Sequence, residues 1–519
     1  MTAPDQADAI VIGSGPNGLV AATKLARAGW SVTVLERNPI AGGAIASEQL
    51  TVPGYTHDPF SAFYGLLHSS PVFAELDLAR RVDWARFDVP VAAAITPDRS
   101  ALLYADAEAT ARHLGKVAEA DGDAWRELVA WWDKVGVHFF SMMLAPLGAV
   151  RPLVRVGRAA KIKGGLALAQ TMLGSIEAVA AARFDSVEAQ SLLCSGASHA
   201  DLSVTSAGSS PAALILALIA QSKNMPVPVG GAGKLAEALA AAATEAGATI
   251  VTDASVARVI VRGGKAVGVE TNDGRAFNAK RAVVADVHAR RLFGTLVTED
   301  ELPSEFVSSL RWFRAGSGIF KLDLALDAPA PWLEEDFAKT GVIHMVGTPG
   351  DMARASGEVA AAMLPTEPLL VIGQQSVADA SRVPAGGSTL WIETHVPPRP
   401  REGDWATCRD AFRDRVIDRI ATFAPGLRER IVGEHVMTPP DLEARNPNLV
   451  DGDLAGGSTA LHQQLVFRPV RGWFRYNTPV KGLYICSASS HPGGAVHGMG
   501  GRNCAERVLH HRLTRRRSK

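Results

Sequence analysis

The residues best suited to chemistry in this sequence are three glycines near its amino terminus, in the run Gly13-Ser14-Gly15-Pro16-Asn17-Gly18. Gly13 permits a tight turn, Gly15 lets backbone N–H groups approach a pyrophosphate, and Gly18 lets a helix pack closely against a strand. The first N–H groups of that helix can then bind the anion. The spacing therefore predicts a loop that binds a dinucleotide.

A carboxylate stands at the distance from this loop that a dinucleotide requires. Glu36 lies 23 residues after Gly13, at the end of a second apolar run, where it can accept hydrogen bonds from both ribose hydroxyls. An acid at this position suits an unphosphorylated ribose. The pair Gly42-Gly43 that follows is typical of FAD sites rather than of bare NAD sites, so FAD is the predicted ligand.

The elements that must position these residues are predicted by the same segment. The apolar runs 9–12 and 31–35 predict two buried strands, and residues 19–28 have the pattern of a helix between them. A lone glycine motif is equally compatible with a surface loop. The strand before it and the helix after it are the context that favours a nucleotide site.

Two regions far along the chain have related patterns. Residues 248–284 alternate β-branched residues with Gly-Gly and Asp-Gly turns, which predicts strands and hairpins. Just before them, residues 228–234 lead from glycines into a helix over 235–245, which either connects elements or contacts a ligand. Near the carboxyl end, residues 482–511 predict another strand, loop and helix in succession.

Taken together, these segments resemble the phytoene desaturase-like FAD-dependent oxidoreductases, a family that includes carotenoid desaturases and isomerases. The resemblance spans nearly the entire chain and is carried by VIGSGPNGLVAATKLARAGWSVTVLER with its trailing AGG, PGYTHDPFSAF, PVGGAGKLAEAL, AKRAVVAD, LHQQLVFRP and TPVKGLYICSASSHPGGAVHGMGGRNCA. The ending is most similar to the branch related to pyridine nucleotide-disulfide oxidoreductase domain-containing protein 2. That name implies no disulfide here.

The resemblance implies an α/β fold in which a Rossmann-type FAD-binding domain carries an inserted α+β substrate domain. The expected FAD-binding domain is discontinuous, over 1–125, 226–300 and 440–519. Residues 126–225 are expected to form a mainly helical lid or substrate region. Residues 301–439 are expected to form the substrate domain, with sheet strands at Ile319–Leu326 and Thr389–Val396.

The resemblance also assigns residues to each part of the cofactor. The pyrophosphate is assigned to Gly13, Ser14, Gly15, Pro16, Asn17 and Gly18, the adenosine ribose to Glu36, the adenine to the backbone of Val256, the middle of FAD to Arg37, Gly42, Gly43 and Ala44, and the isoalloxazine to Gly493, Gly494, Ala495 and Val496. The helix after Val496 is expected to direct its positive end at the pyrimidine edge of the flavin, where the reduced form carries negative charge.

Two histidines are the candidate catalytic residues. Family members usually have glycine where Ser487, Ser489 and Ala495 stand, and a small apolar residue or proline where His497 stands. A histidine beside a flavin can stabilise the reduced anion or move a substrate proton. His497 is equally explained as a helix cap or a packed imidazole, and His57, beside Asp58, as half of a structural loop pair.

Composition excludes several classes of function. The 519 residues carry 53 basic and 53 acidic side chains, so the chain lacks the one-signed charge of a nucleic-acid binder. Its four cysteines form no C-x-x-C pair, which argues against a zinc ribbon or a secreted disulfide framework. No export signal or membrane-spanning run is visible, and no metal site is expected. A cytoplasmic location is predicted.

One segment suggests a further partner. Residues 134–176 contain Lys134, Arg151, Arg155, Arg158, Lys161 and Lys163 among apolar residues and no acid. Such a stretch can lie at a membrane interface and deliver a lipid-like substrate. It is equally explained as a helical lid with solvated charges.

The predicted function is that of an FAD-dependent oxidoreductase that dehydrogenates a hydrophobic, isoprenoid-like substrate by hydride transfer to flavin N5. No second strand–GxGxxG–helix unit is present for a nicotinamide cofactor, so oxygen or a quinone is the expected electron acceptor. Three alternatives remain open at this point: a redox-neutral flavin-dependent isomerase, a flavin amine oxidase, and an FAD-bound interaction protein without turnover.

Overall fold

The computed structural model describes residues 6–517, without the side chains of 162–163 and 511–517. The strands are β1 (Gln6–Ile12), β2 (Val32–Leu35), β3 (Trp84–Ala85), β4 (Val89–Thr96), β5 (Arg99–Leu103), β6 (Val227–Pro228), β7 (Ala248–Val251), β8 (Val256–Arg262), β9 (Lys265–Thr271), β10 (Ala276–Ala285), β11 (Gly318–Leu326), β12 (Thr340–Met345), β13 (Leu370–Gly373), β14 (Ser388–Val396), β15 (Ile431–Met437) and β16 (Leu483–Ile485).

The α-helices are α1 (Pro16–Arg27), α2 (Gly65–His68), α3 (Pro71–Glu75), α4 (Leu78–Arg81), α5 (Ala107–Val117), α6 (Glu119–Trp131), α7 (Val137–Leu144), α8 (Val150–Leu173), α9 (Ile176–Ala181), α10 (Val187–His199), α11 (Ser210–Lys223), α12 (Gly233–Glu245), α13 (Ala289–Arg291), α14 (Ser304–Leu310), α15 (Pro349–Ala360), α16 (Gln375–Ala378), α17 (Trp405–Phe423), α18 (Leu427–Arg430), α19 (Pro439–Arg445) and α20 (Met499–Arg517). Trp132–Gly136 and Leu292–Leu296 form π-helical turns.

The first sheet joins the strands predicted at the amino terminus to strands from the second half of the chain. Its parallel part has the order β7-β2-β1-β10-β16, and β9 and β8 extend β10 as an antiparallel meander. Ile12 pairs with both Leu35 and Ala285, and Ala285 pairs with Ile485. Because these strands are parallel and end together, the loops that follow them meet at one edge of the sheet.

The two ends of the chain are in direct contact beside this sheet. Helix α1 begins at Pro16, whose missing N–H costs nothing in the first turn of a helix, and it packs along α20. The Asn17 side chain accepts a hydrogen bond from the N–H of Gly501 at 3.2 Å. A Cβ at Gly501 would strike the backbone of Asn17, so a glycine is required for this close approach.

The second sheet has the order β15-β11-β14-β13-β12-β4-β5 and is antiparallel except for the pair β12–β4. The two strands predicted within 301–439 are β11 and β14. Residues 89–103, predicted to be part of the FAD-binding domain, instead supply β4 and β5 to this sheet, which corrects that boundary. Strand β4 is a continuous apolar run, and its parallel partner β12 lies more than 240 positions away, so no local pattern indicates the pairing.

The two faces of the second sheet differ in chemistry. One face packs Leu322, Leu324, Leu390 and Ile392 against α17. Alternate residues of the same strands point the other way, toward the first sheet. Residues 126–225 contain the end of α6 and all of α7–α11, and α11 closes the space between the two sheets. None of the helices within 6–517 combines the length and apolar character that crossing a bilayer requires.

Candidate active site

The glycine loop has the geometry of an anion site. Gly13 follows β1 directly, adopts φ +90°, and donates its N–H to the carbonyl of Leu35 at 2.8 Å. The loop then passes into α1, whose first-turn N–H groups have no partner within the helix. Gly43 packs against the loop so closely that a Cβ there would lie 2.9 Å from the Cα of Gly15. The loop is therefore held open for a ligand by backbone packing.

Glu36 is fixed beside this loop by hydrogen bonds. Its Oε2 accepts from both the N–H of Ser14 at 3.0 Å and the Ser14 hydroxyl at 2.6 Å, and its Oε1 accepts from the N–H of Asn38 at 2.9 Å. The residue is 4% exposed and lines the cavity described below. The carboxylate keeps further lone pairs, so Glu36 can still accept ribose hydroxyls.

Asp286 lies beneath the loop and was not identified as a site residue from the sequence. It directly follows β10, and its Oδ2 accepts a hydrogen bond from the N–H of Gly18 at 2.8 Å. A Cβ at Gly15 would lie 2.6 Å from the same oxygen. Gly15 and Gly18 are therefore required by Asp286 as well as by a ligand. The available signal was an acid immediately after a predicted buried strand.

A loop from the carboxyl end forms the other side of the site. Gly493 and Ala495 both have positive φ, +113° and +76°, and a Cβ at Gly494 would lie 2.8 Å from the Ala455 backbone. The left-handed conformation of Ala495 explains why glycine is the usual residue there. Ser489 donates to the carbonyl of Gly456 at 2.8 Å, and Ser487 donates to the carbonyl of Val287 at 2.8 Å.

Arg468 holds this loop from below. Its buried guanidinium donates to the carbonyls of Ala455, Gly457, Ser458 and Ala488, over distances from 2.8 to 3.3 Å. Burial lowers the pKa of Arg468 to about 10, so the side chain stays charged at neutral pH. Because one cation binds the carbonyl of Ala488 together with those of the segment 455–458, it holds this loop against that segment.

His497 is placed as a cap. Its Nδ1 accepts from the N–H of Met499, the first residue of α20, at 3.1 Å, and its carbonyl accepts from the Ser70 hydroxyl at 2.7 Å. Burial, with a contribution from His491, lowers the pKa of His497 to about 4. The imidazole is therefore neutral at pH 7, and it lines the cavity beside Val496.

His57 lies apart from the cavity lining. Its Nε2 is 2.8 Å from the Thr51 hydroxyl, and its Nδ1 is 3.8 Å from Oδ1 of Asp323. Burial lowers its pKa to about 3, with Lys321 adding to the effect. His57 does not pair with Asp58, whose carboxylate binds Ser47, the N–H of Ala232 and Arg382. A catalytic role for His57 remains a prediction that this geometry does not favour.

One cavity of about 670 Å³ connects the parts of the site. Of the residues assigned to FAD from the sequence, those that line it are Gly13, Gly15, Pro16, Asn17, Glu36, Arg37, Gly43, Ala44, Val256, Gly493, Gly494, Ala495 and Val496. Ser14, Gly18 and Gly42 do not line it: they bind Glu36, Asp286 and Ser14 respectively. An N–H cradle at one end and a glycine loop at the other fit an elongated dinucleotide, so the residues present fit FAD.

The cavity continues beyond the cofactor loops to the second sheet. Its wall there includes Trp391, Glu393 and His395, which alternate along β14 and so share one face. The Trp391 indole N–H donates to the carbonyls of Asp58 at 2.9 Å and Phe60 at 3.1 Å, which fixes the ring. The sequence pattern does not single out this face, because Ser388 and Thr394 on the opposite face of β14 are polar as well.

Glu393 is the carboxyl group of this wall. Burial raises its pKa to about 7, against the opposing effects of His395 and Lys321. Lys321 pairs with Glu393 across β11 and β14, but its ammonium binds Asp323 at 2.5 Å. No side chain within the described residues forms an ion pair or hydrogen bond with the Glu393 carboxyl group, which therefore faces the cavity available for reaction.

Comparisons with known proteins agree with this geometry. The family model described as flavin containing amine oxidoreductase matches residues 17–509. The chain is 28% identical over 550 residues to pyridine nucleotide-disulfide oxidoreductase domain-containing protein 2 of Mus musculus, covering 97% of this chain and 93% of that protein. It is 26% identical over 535 residues to a component of the limonene dehydrogenase of Castellaniella defragrans, covering 98% and 95%.

A solved structure shows the same fold. The structure of an oxidoreductase from Methanosarcina mazei aligns with a TM-score of 0.61 at 15% identity, covering 97% of this chain and 99% of the other. The expected architecture and the resemblance to phytoene desaturase-like oxidoreductases are thereby confirmed.

Proposed function

Because the chain belongs to the family of flavin-containing amine oxidoreductases and is an FAD-dependent enzyme, we propose that it dehydrogenates an apolar, isoprenoid-like molecule. The observation that carries this proposal is the continuity of one cavity, which is lined by the loops assigned to FAD, by apolar residues of α11 and by the buried carboxyl group of Glu393. The name of a relative, limonene dehydrogenase, agrees with a hydrocarbon substrate.

The apolar part of this cavity, the chamber, supports an apolar substrate. Helix α11 contributes Ile215, Leu216 and Ile219, and Leu66 and Met143 come from α2 and α7. Each apolar side chain covered by a ligand contributes favourably to binding through removal of water-exposed surface, about 25 cal/mol per Å². Against these apolar side chains, a charged or strongly hydrated part of a substrate would lose its water without compensation.

The chemistry requires one acceptor for a hydride and one for a proton. FAD, when bound, supplies the two-electron acceptor at N5. We propose that the Glu393 carboxylate takes the proton from the neighbouring carbon, so that two C–H bonds break and one C=C bond forms. A carboxyl group with a pKa of about 7 is ionised in about half of the molecules at neutral pH and is a stronger base than an ordinary glutamate.

The electrons then leave to a second acceptor, for which we propose oxygen or a quinone. The chain has one GxGxxG loop with its strand and helix, which the FAD site uses. This part of the proposal is tested by adding each acceptor to the anaerobically reduced enzyme and following flavin reoxidation.

The reaction is tested with the holoenzyme under anaerobic conditions. We expect limonene or squalene, a short and a long isoprenoid hydrocarbon, to bleach the flavin absorbance. Glu393→Gln should retain FAD and slow the bleaching at least about 100-fold, the usual contribution of a general base. Glu429→Gln, the same change at an exposed position, is the matched control and should react as the unchanged protein does.

Two results would contradict the proposal. Bleaching of Glu393→Gln at the unchanged rate would remove Glu393 from the reaction. A wild-type flavin that stays oxidised with both hydrocarbons would contradict dehydrogenation, and product formed only in the presence of a reductant would instead identify an isomerase.

A second candidate function is amine oxidation. The buried carboxyl group of Glu393 is also a group that can bind a substrate ammonium ion through charge, whereas the ring of Trp391 already has the Lys321 ammonium 4.8 Å from its centroid. Bleaching by a primary alkylamine and not by the hydrocarbons would favour this alternative.

We also propose that the protein contacts membranes through α8. Its exposed apolar side chains include Val150, Leu153, Leu166 and Leu173, between 60% and 75% exposed. Lys161, with a non-helical φ of +57°, divides α8 into two parts, and Arg151, Arg155 and Arg158 are exposed on the first part with Val150 and Leu153. The carbonyl of Leu173 accepts a hydrogen bond from Gly208, which lines the cavity, so this helix ends at the chamber wall. An apolar substrate could then pass from lipid into the chamber.

A further inference from the structure

Asp286 places a carboxyl group directly under the loop that binds the FAD pyrophosphate. Its Oδ2 lies 2.8 Å from the backbone nitrogen of Gly18. Because Gly15 and Gly18 have no side chains, the carboxyl group packs directly against the backbone of the loop. The residue also lines the cavity. Any ionised form of this carboxyl group therefore faces the position of the doubly charged pyrophosphate.

The groups packed around Asp286 offer no compensating cation. Glu36, the residue after β2, contributes a carboxylate, and Cys486, the residue after β16, contributes a thiol whose pKa is raised by burial. From the following segment comes His288, whose pKa burial lowers to about 3, so its ring is neutral. Asn448 donates to the carbonyl of Asp286, not to its carboxyl group. Among the side chains that the structure describes, no lysine or arginine forms an ion pair with Asp286 or contributes to its pKa shift.

Two effects act on the charge of Asp286, in opposite directions. The N–H of Gly18 and the start of α1 favour the ionised form. Burial and the nearby Glu36 favour the protonated form, and their sum raises the pKa of Asp286 to about 7. Burial outweighs the single N–H because an ionised carboxylate without a cation loses its hydration in this position.

We propose that Asp286 takes up a proton when FAD binds, so that this residue makes the cofactor affinity of the protein depend on pH. The pyrophosphate adds two negative charges beside the carboxyl group, which disfavours its ionised form further. A protonated Asp286 removes that repulsion and can still accept from Gly18. The inference concerns cofactor binding alone and is independent of the substrate proposed above.

The sign of the effect follows from linkage. At a pH below the pKa of the free protein, Asp286 is already protonated and FAD binding moves no proton. At a higher pH, binding must take up a proton from solution, so the dissociation constant rises by up to about tenfold for each pH unit. FAD affinity should therefore be constant between pH 6 and about 6.5 and should weaken toward pH 9.

The experiment measures FAD binding to the flavin-free full-length protein. Quenching of flavin fluorescence gives the dissociation constant between pH 6 and 9 at constant ionic strength. We expect the wild-type value to rise about tenfold or more across this range, and that of Asp286→Asn to stay within about twofold, because an asparagine oxygen accepts from Gly18 without titrating. Glu36→Gln is the matched control: it should weaken binding at every pH and keep a pH-dependent dissociation constant, with the rise beginning at lower pH because the Glu36 charge no longer raises the pKa of Asp286.

Calorimetry of FAD binding in two buffers of different ionisation enthalpy gives a second readout, which needs no variant. We expect wild-type protein to take up about one proton at pH 8.5 and close to none at pH 6. Asp286→Asn should take up none at either pH. A wild-type protein that takes up no proton at pH 8.5, or an Asp286→Asn protein with the wild-type slope, would overturn the inference.

Discussion

The guanidinium of Arg382 binds the carboxylate of Asp58 at 2.7 Å, although 324 positions separate the two residues. Both side chains are at most 1% exposed. Arg382 also binds Asp379 at 3.0 Å and the carbonyl of Pro228 at 2.9 Å. This single side chain therefore ties the segment beside β14 to two segments that border the FAD loops.

We expect Arg382→Leu to lower the free energy of unfolding by about 3–5 kcal/mol, because it leaves the buried Asp58 charge without a cation, bound only by the Ser47 hydroxyl and the N–H of Ala232. FAD should also be retained less well. Arg428→Ala is the control, since its ion pair with Asp418 is exposed and should contribute less than about 1 kcal/mol. Urea unfolding gives the free energy of unfolding of both variants. Equal losses would show that the buried ion pair contributes no more to stability than the exposed one.

Ala495 holds a left-handed conformation, with φ +76°, in the loop assigned to the isoalloxazine. A residue with a Cβ is strained by about 1–2 kcal/mol in this conformation, and glycine avoids that strain. Glycine also loses more conformational freedom on folding, which cancels about half of the gain in stability. Ala495→Gly should therefore raise stability by at most about 1 kcal/mol and keep the flavin spectrum unchanged. Thermal unfolding of the holoenzyme is the measurement, and a clear loss of stability would contradict this account of the loop.

His497 should affect stability in a pH-dependent way. Its pKa is about 4 in the folded protein and near 6.5 when unfolded, so the unfolded state binds an additional proton between these values. The wild type should lose about 1.4 kcal/mol for each pH unit below 6.5 through this residue, until the pH reaches about 4. Above pH 7 this contribution vanishes.

Neither His497→Asn nor His497→Ala should show this acid sensitivity. His497→Asn keeps an acceptor for the N–H of Met499 and should be as stable as the wild type at pH 7.5, whereas His497→Ala loses that acceptor and about 1 kcal/mol of unfolding free energy at the same pH. Urea unfolding at pH 7.5 and pH 5 separates the two effects. If His497→Asn loses turnover while its stability and flavin spectrum are unchanged, the imidazole takes part in the reaction and is more than a cap.

Helix α8 should carry membrane binding. Replacing Leu153 and Leu166 by glutamine should reduce flotation with phosphatidylglycerol vesicles at low and high salt, because apolar insertion does not depend on ionic strength. Replacing Arg151 and Arg155 by glutamine should reduce flotation mainly at low salt. Trp312→Gln, at an equally exposed apolar residue outside α8, is the control. If all three variants float with vesicles as the wild type does, the membrane contact lies outside α8.

The local part of the site was predictable from the sequence. The strand, the loop Gly13–Gly18, the helix and Glu36 fall within 36 residues, and their spacing sets their geometry because a strand and a helix advance by fixed amounts per residue. The approach of Gly493–Val496 to the same cofactor was predicted through the resemblance, and the cavity lining includes both segments.

The remaining features depend on which distant segments pair. Asp286 meets Gly18 only because β10 pairs in parallel with β1 and ends level with it. Glu393 reaches the cavity only because the register of β14 turns its polar face inward, and β4 joins the second sheet through β12. Local patterns determined the elements and the cofactor class of this protein. Its acid groups were placed by strand register, which is decided by burial across the whole chain.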